Sequence, residues 1–269
     1  MKVITSRDNP FFRQLIKLED SARQRRATRL TLLDGIHLIS AYFLASGSPK
    51  TLIVSVSGCE NTEIKRLLAE QKAGTDMVVL SDALFREASP VKTPIGIMAL
   101  ICIPPAAIKP AAQDGGERDA LFCVLLEAIQ DPGNLGSILR SAAAAGASDV
   151  YLSDGCADAW SPKTLRAAMG AHFLLRVHER SDLVEVARAF SGKVIATTLC
   201  AKISLYQTRL TGSIAFVFGN EGVGLSDAVL QASGEQISIP MRGRTESLNA
   251  AAAAAVCFFE RVRQMERDK

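Results

Sequence analysis

Apolar residues in the first hundred positions follow two alternating patterns. Short runs of β-branched and leucine residues predict strands, whereas apolar residues spaced three and four apart predict amphipathic helices. The predicted strands cover residues 30–33, 51–56, 77–80 and 95–103. The predicted helices cover residues 11–26, 36–44 and 60–71, with Ser81 as the cap of a further short helix. This alternation predicts a small α/β domain.

The same alternation resumes after residue 119. The predicted strands there cover residues 121–126, 149–152, 174–177, 194–198, 214–218 and 236–239. The predicted helices cover residues 135–145, 161–169, 183–190, 225–231 and 248–263, with Ser161 as a cap and Pro162 at the first helical position. Short apolar strands separated by helices predict a mainly parallel sheet that is covered on both faces.

Residues 104–119 (PPAAIKPAAQDGGERD) are rich in proline, alanine, glycine and charge. This composition predicts a linker between two domains. The expected organisation is a basic helical segment at 1–29, an α/β domain at 30–103, the linker, and a second α/β domain at 120–269.

Composition narrows the class of protein. The chain has 269 residues, of which 48% are hydrophobic and 22% charged, so it can bury a core and is neither disordered nor fibrous. The longest apolar run, residues 250–259, is too short to span a bilayer and predicts a buried helix. No apolar stretch of signal-peptide length follows the basic N-terminus, and the six cysteines show no CxxC pair. We therefore expect a cytoplasmic protein without a membrane segment or a metal site.

Charge is concentrated near the N-terminus. Residues 1–29 contain eight basic and three acidic residues, a net charge of +5, whereas the whole chain carries +3. Such a segment can contact nucleic-acid phosphates. The alternative is an ordinary solvated helix face, and charge alone favours that alternative slightly.

Three loops that follow predicted strands contain the candidate chemistry, because ligands of α/β sheets gather at the carboxyl ends of strands. The first loop, 131–136 (DPGNLG), leads into a helix that contains Arg140, six residues after Asn134. Alone, it is a structural turn with an exposed arginine. The second, 218–226 (FGNEGVGLS), has neither the GxGxxG fingerprint nor a Walker lysine, so its Glu221 is either a turn residue or a site residue.

The third loop, 239–249 (IPMRGRTESLN), precedes the alanine-rich segment. Ser247 is predicted as the cap of the last helix, and Asn249 is expected in its first turn. The alanines predict close packing of this helix against its sheet, a knot or a partner helix.

Together and in this order, the three loops resemble the three motifs of the SpoU/TrmH branch of the SPOUT RNA methyltransferases. The family pattern is an acidic-Pro-Gly-Asn-x-Gly turn with an arginine six residues after the asparagine, then Gly-Asn-Glu-Gly-x-Gly-Leu-Ser, then Ile-Pro-Met…Ser-Leu-Asn. Here these occupy 131–140, 219–226 and 239–249. Residues 30–103 resemble, more weakly, the family's RNA-binding module, which is related to ribosomal proteins. This sequence departs from the family at Asp34, Ala168 and Ala250.

The resemblance implies a fold, a cofactor and an oligomeric state. The fold would be a parallel-sheet domain with a deep trefoil knot, which is rare among proteins. The cofactor would be S-adenosyl-L-methionine, and each active site would lie near a homodimer interface. The residues implied in cofactor binding are Thr198, Leu199, Gly219, Asn220, Gly224, Ile239, Met241 and Leu248.

The implied reaction is methylation of a ribose 2′-hydroxyl, which makes the substrate RNA and not DNA. The implied catalytic residues are Asn134, Arg140, Glu221, Ser247 and Asn249. Arginine stays protonated, so our hypothesis is that Arg140 stabilises the developing alkoxide and grips a neighbouring phosphate. None of the three histidines, His37, His172 and His178, lies in a motif, so we interpret them as structural or surface residues.

Several alternatives remain open from the sequence. Ribosomal RNA is preferred over transfer RNA by analogy only, because of the extra N-terminal domain. An inactive RNA-binding relative and a nucleotide-binding oxidoreductase are rival functions. The intact motif residues argue against the first rival, and the missing GxGxxG fingerprint argues against the second.

Overall fold

The computed structural model describes residues 3–70, 75–105 and 120–267. Most of the predicted linker, residues 106–119, lies outside these ranges, as does the end of the helix predicted at 60–71. The chain divides into two compact units. The first unit contains Met1–Pro105 and Trp160–Phe173, and the second contains Ala106–Ala159 and Leu174–Lys269.

The elements before the linker are β1 (Val3–Ile4), α1 (Pro10–Asp20), α2 (Ala22–Thr28), β2 (Leu30–Asp34), α3 (Ile36–Ser46), β3 (Thr51–Ser55), α4 (Thr62–Ala69), β4 (Asp76–Leu80), α5 (Asp82–Ala88) and β5 (Ile97–Cys102). The elements after it are β6 (Phe122–Leu126), α6 (Pro132–Ala144), β7 (Asp149–Leu152), α7 (Pro162–Ala168), β8 (Arg176–His178), α8 (Leu183–Ala189), β9 (Lys193–Thr197), β10 (Ile203–Ser204), β11 (Ile214–Phe218), α9 (Asp227–Ala232), β12 (Glu235–Ser238) and α10 (Ala250–Arg267). The predicted α/β alternation is confirmed, and the short strands β1 and β10 are additional to it.

The first unit is built on a five-stranded sheet with the order β1-β4-β3-β5-β2. Strands β1, β4 and β3 are parallel, whereas β5 runs antiparallel to both of its neighbours. Phe12, Leu15 and Leu18 of α1 are buried against this sheet with Leu32 and Ile53. Phe12 is therefore a core residue of the first unit.

The helix predicted over residues 11–26 is wrong as one element, because it is broken at Ser21. The backbone of Ser21 is extended, its N–H closes α1 on the Lys17 carbonyl, and its hydroxyl caps α2 by accepting from the Gln24 N–H. Arg25 is buried and donates to the Leu18 and Glu19 carbonyls at 2.5 and 2.8 Å. The backbone groups at the break are thus hydrogen-bonded within the protein. The spacing of apolar residues alone does not predict the break.

Residues 160–173 pack with the first unit although they follow β7 in sequence. The Thr31 hydroxyl donates to the Trp160 carbonyl at 2.7 Å, and the Tyr42 and Phe173 rings meet edge to face at 5.2 Å. The predicted helix is confirmed here, with Ser161 as cap and Pro162 at its first position.

The second unit is built on a seven-stranded sheet with the order β10-β12-β9-β11-β6-β7-β8. All of its strand pairs are parallel, as predicted. Helices α8 and α9 pack over a core that includes Leu125, Tyr151 and Val217. On α10, the Phe258 ring contacts the rings of Phe122, Phe216 and Phe218, and α10 also packs against α6.

Most helix starts differ from the prediction by one to three residues, and two of the differences concern the first and third motif loops. Helix α6 begins at Pro132 with Asp131 as its cap, so most of the first loop is already helical. The prediction of Ser247 as the cap of α10 is wrong, because the Asn249 side chain accepts from the Ala251 and Ala252 N–H groups at 2.9 and 3.3 Å. Within the described residues, no helix is long and apolar enough to cross a membrane.

Candidate functional site

The loops that follow β9, β11 and β12 meet at one edge of the second unit's sheet. Strand β9 lies between β12 and β11 in the sheet order, and β6 lies on the other side of β11. Because these strands are parallel, their carboxyl ends share an edge. The second and third motif loops and the start of α6 therefore converge, although they are distant in sequence.

A cavity of about 360 Å³ lies at this edge, within the size range of small-molecule sites. It is formed by residues 197–200, the 218–225 loop, and the segment from Ile237 to Ala253. Every residue predicted to bind the cofactor lines it: Thr198, Leu199, Gly219, Asn220, Gly224, Ile239, Met241 and Leu248. Glu221 and Ser247 line it as well.

A chain of side-chain hydrogen bonds connects the three motif loops. The Asn249 amide donates to Asn134 Oδ1 at 2.9 Å, and the Asn134 amide donates to Glu221 Oε1 at 2.8 Å. The backbone N–H of Asn134 is in turn held by the Asp131 carboxylate at 2.8 Å. The orientation of the Asn134 amide is thus determined from both sides, and the three predicted site residues form one polar network.

Arg140 lies apart from this network and does not line the cavity. It is exposed on α6, about 9 Å along the helix axis from Asn134. Among the described residues it has no hydrogen-bond or ion-pair partner. Its guanidinium is therefore available to a ligand that approaches from solvent.

The second motif loop is shaped by Asn220. Its backbone N–H and carbonyl pair with those of Gly224 at 3.0 Å, its Oδ1 accepts from the Gly222 and Val223 N–H groups, and its amide donates to the Ala128 carbonyl at 2.9 Å. The side chain of Asn220 is therefore occupied in building the turn. A Cβ atom at Gly219 would lie 2.6 Å from the Leu225 nitrogen, so only glycine fits there.

Glu127 is a site residue that the sequence reasoning missed. It follows β6 directly and accepts from the Ser226 N–H at 2.8 Å and from the Ser226 hydroxyl at 2.7 Å. This pair of hydrogen bonds ties the end of the second motif loop to the neighbouring strand. An acidic residue immediately after a buried strand was the available signal, since that position lies at the same sheet edge as the motif loops.

The cavity wall combines exposed apolar side chains with polar groups. Val223 and Leu199, which both line the cavity, are 87% and 68% exposed, which leaves large apolar surface open to a ligand. Glu221, Ser247 and the loop backbone supply polar atoms. This combination of apolar surface and polar atoms fits a ligand such as S-adenosylmethionine, which has a flat apolar base and polar ribose and amino-acid groups.

A different polar cluster, centred on Asp149, lies between β7 and the edge strand β8. Asp149 is fully buried, and it accepts from Arg176 at 2.7 and 2.6 Å, from Ser148 at 2.7 Å and pairs with His178 Nε2 at 2.9 Å. Burial alone would raise the pKa of Asp149, but the hydrogen bonds from His178, Arg176 and Ser148 outweigh it and lower the pKa. The Tyr151 ring stacks on His178 at 4.5 Å.

The histidines lie outside the cavity lining, in line with the interpretation from sequence. His172 and His178 are buried, and His37 is exposed on α3. The structure therefore brings no histidine to the cavity among the residues it describes.

Residues 121–259 match the SpoU rRNA Methylase family, and residues 9–99 match the MRM3-like substrate binding domain. The chain belongs to the SpoU rRNA methylase family. The predicted family is thereby confirmed, and the oxidoreductase alternative is set aside.

Relatives of known name match over nearly the whole chain. The chain is 32% identical to the 23S rRNA (guanosine(2553)-2′-O)-methyltransferase RlmP of Bacillus subtilis, over 96% of this chain and 98% of that protein. It is 30% identical to the 23S rRNA (guanosine-2′-O-)-methyltransferase RlmB of Shewanella oneidensis, over 87% of this chain and 97% of that protein.

A similar solved structure contains the cofactor. The SpoU methyltransferase AviRb from Streptomyces viridochromogenes in complex with AdoMet superposes with a TM-score of 0.82 and 28% identity, over 96% of this chain and 100% of that chain. The α/β fold expected for the family is confirmed by this likeness.

Proposed function

We propose that this protein transfers a methyl group from S-adenosylmethionine to a ribose 2′-hydroxyl of ribosomal RNA. The observation that carries the proposal is the convergence of three motif loops into one cavity, beside the network of Asn249, Asn134 and Glu221. Family membership and the named relatives support the reaction and the class of RNA.

The cavity wall would hold the cofactor through two kinds of contact. Leu199, Ile239 and Leu248 provide apolar surface for the base, and the backbone of the Gly219–Gly224 turn provides hydrogen-bonding groups. When bound, the cofactor supplies an activated methyl group on a positively charged sulfur. The tasks left to the protein are to orient the ribose and to exclude water around it.

The Asn134 network would orient the reacting ribose. With its amide direction determined by Asn249 and Glu221, Asn134 presents a rigid polar group next to Glu221, which lines the cavity. Such preorganised groups lower the barrier without a reorganisation cost during reaction. Ser247, which lines the cavity and caps no helix, would contribute a hydroxyl to the same site.

Arg140 would act on the RNA and not on the cofactor. Its guanidinium is exposed and has no partner among the described residues, which suits a group that meets the RNA. Since arginine stays protonated, it would stabilise the developing alkoxide and grip a neighbouring phosphate rather than act as a base. An Arg140→Lys enzyme that keeps full turnover would contradict this role, because lysine lacks the planar two-pronged donor.

We propose that different parts of the chain bind the RNA and carry out the methyl transfer. Residues 30–103, with the basic segment 1–29, would bind RNA, and residues 120–269 would carry the methyltransferase activity, with 104–119 as the linker. The match of residues 9–99 to a substrate binding domain supports this assignment. We further propose that the protein is cytoplasmic.

We also propose that the second unit contains a deep trefoil knot and that the protein is a homodimer. Family membership supports both, and α10, which follows the third loop, packs back against α6. Phe259 on α10 is 50% exposed and would be covered in a dimer. An experimental chain trace tests the knot, and light scattering at micromolar concentration tests the dimer.

The proposed activity is tested with total RNA from a host that lacks the gene. The protein is incubated with this RNA and methyl-labelled S-adenosylmethionine, and the methylated nucleotide is mapped. The expected result is one labelled ribose in ribosomal RNA. Label in transfer RNA would contradict the substrate, and no label in any RNA would contradict the enzymatic function.

A further inference from the structure

A second cavity, which we call the basic cavity, lies away from the methyltransferase site in the second unit. It is about 230 Å³ and is lined by Arg209, Thr211, Arg263, Gln264 and Arg267. Each of these side chains can donate hydrogen bonds, and the lining formed by the described residues includes no carboxylate. Three guanidinium groups around one concavity are typical of a site for a phosphate or another oxyanion.

The basic cavity is held in shape by Gln264. Its Oε1 accepts from the Leu210 N–H at 2.8 Å, and its amide donates to the Thr208 carbonyl at 3.1 Å and to Glu260 Oε1 at 2.8 Å. The loop before β11 is therefore bound to the last turns of α10. A single glutamine thus holds the loop that contains Arg209 against the helix that contains Arg263 and Arg267.

The charge of the basic cavity is only partly compensated. Arg263 makes two hydrogen bonds to the buried carboxylate of Glu260, at 2.7 and 2.6 Å. Arg209 donates through Nε to the Thr211 hydroxyl at 2.9 Å, and neither Arg209 nor Arg267 forms an ion pair among the described residues. Counting only the described residues, three guanidinium groups and the one bonded carboxylate of Glu260 give a net charge of about +2.

Helix stabilisation explains only part of this arrangement. Arg267 lies in the last turn of α10, where a cation is favourable against the helix dipole. Arg188 occupies the same kind of position on α8 and is not part of the basic cavity. Arg209 comes from a separate loop, so the helix dipole does not account for its convergence with Arg267.

The basic cavity lies at the opposite edge of the sheet from the cofactor site. Arg209 and Thr211 precede β11, whereas Gly219 follows it, and a five-residue strand is about 17 Å long. A ligand in the basic cavity therefore does not reach the transferred methyl group. It would instead hold a part of the substrate that is remote from the reacting ribose.

We propose that the basic cavity binds a backbone phosphate of the RNA substrate as an anchor separate from the methyltransferase site. This inference rests on the proposed RNA substrate. An anchor of this kind carries no sequence information and positions the RNA. It would strengthen binding of a long, folded RNA and leave the reaction of a short oligonucleotide unchanged.

The test compares Arg267→Gln and the double variant Arg209→Gln/Arg267→Gln with Arg188→Gln. The last is a matched control, because it also removes an exposed arginine from the last turn of a helix. Binding of a long ribosomal RNA fragment is measured at several salt concentrations, and methylation is measured on that fragment and on a short oligonucleotide containing the target. Thermal unfolding checks that all variants fold.

The expected result is a KM for the long RNA that is about three- to tenfold higher in the double variant, with kcat unchanged. The slope of log K against log salt should decrease by about one for each RNA phosphate that the variant no longer neutralises. Salt slopes and KM values equal to those of Arg188→Gln would overturn the basic cavity as an RNA site while leaving the proposed reaction intact. A wild-type protein that neither binds nor methylates RNA would overturn the proposed function and this inference together.

Discussion

Two polar clusters of the second unit differ in how they meet water. The Asp149 cluster is buried, and its carboxylate is satisfied by Arg176, His178 and Ser148. The Asn134 network is open to solvent, and its members come from three different loops at the carboxyl edge of the sheet. A buried charge whose hydrogen bonds are all made within the protein has a structural role. Exposed polar groups that orient one another at strand ends can instead contact a substrate.

The strongest test of this contrast is Asp149→Asn. The amide cannot compensate the Arg176 charge or accept every hydrogen bond of the cluster, so we expect a loss of about 3 kcal/mol in the free energy of unfolding. Denaturant titration measures this loss. Asp154→Asn is the matched control, because the exposed pair of Asp154 with Arg180 contributes less than about 1 kcal/mol. Equal losses in the two variants would contradict the assignment of a structural role to Asp149.

Arg140→Ala should show the reverse behaviour. Removing the cation that we place beside the developing alkoxide should lower kcat about 100-fold. The free energy of unfolding should change by less than about 0.5 kcal/mol, because the side chain is exposed. Single-turnover methylation and denaturant titration measure the two quantities. A destabilised but fully active variant would place Arg140 with the structural residues.

Glu127→Gln tests the link between the second motif loop and β6. Gln offers one acceptor where the carboxylate accepts from both the N–H and the hydroxyl of Ser226. We expect cofactor affinity to fall about fivefold, the effect of about 1 kcal/mol, through displacement of the loop. Calorimetric titration with S-adenosylmethionine measures it, and Glu185→Gln on α8 controls for the lost charge. Unchanged affinity would show that the hydrogen bonds between Glu127 and Ser226 are not needed for cofactor binding.

A last expected effect is the acid sensitivity caused by Asp149. Its pKa is lower in the folded protein than the ordinary value of 3.8. The corresponding stabilisation is therefore fully present above about pH 4 and is lost as the pH falls towards the folded-state pKa, by at most about 1.4 kcal/mol per pH unit. Stability curves between pH 5 and pH 2.5 should be steeper for wild type than for Asp149→Asn. Parallel curves would contradict the linkage.

Some features of the fold and of the site could be predicted from the sequence, and others could not. Strand positions and the three loops follow from apolar periodicity and from glycine and proline, which act locally. The order of the strands and the contact between Asn134 and Glu221, 87 residues apart, depend on tertiary packing. The break at Ser21 and the choice of Asn249 over Ser247 as a cap depend on which side chain reaches a free N–H, and composition does not reveal this.

The packing of residues 160–173 with the first unit is a further feature beyond local pattern. Ser161 and Pro162 predict the start of α7, but the local sequence does not indicate against which unit the helix packs. The hydrogen bond of Thr31 with the Trp160 carbonyl joins positions 129 residues apart. Helices and strands can thus be predicted from local sequence, whereas the elements against which they pack cannot.

A crystal structure with S-adenosylmethionine bound tests the central claim most directly. We predict that density for the cofactor lies in the cavity between residues 197–200, the Gly219–Gly224 turn and the Ile239–Leu248 segment, with the Asn134 network intact beside it. Cofactor bound at any other place, or motif loops that separate when it binds, would contradict the account.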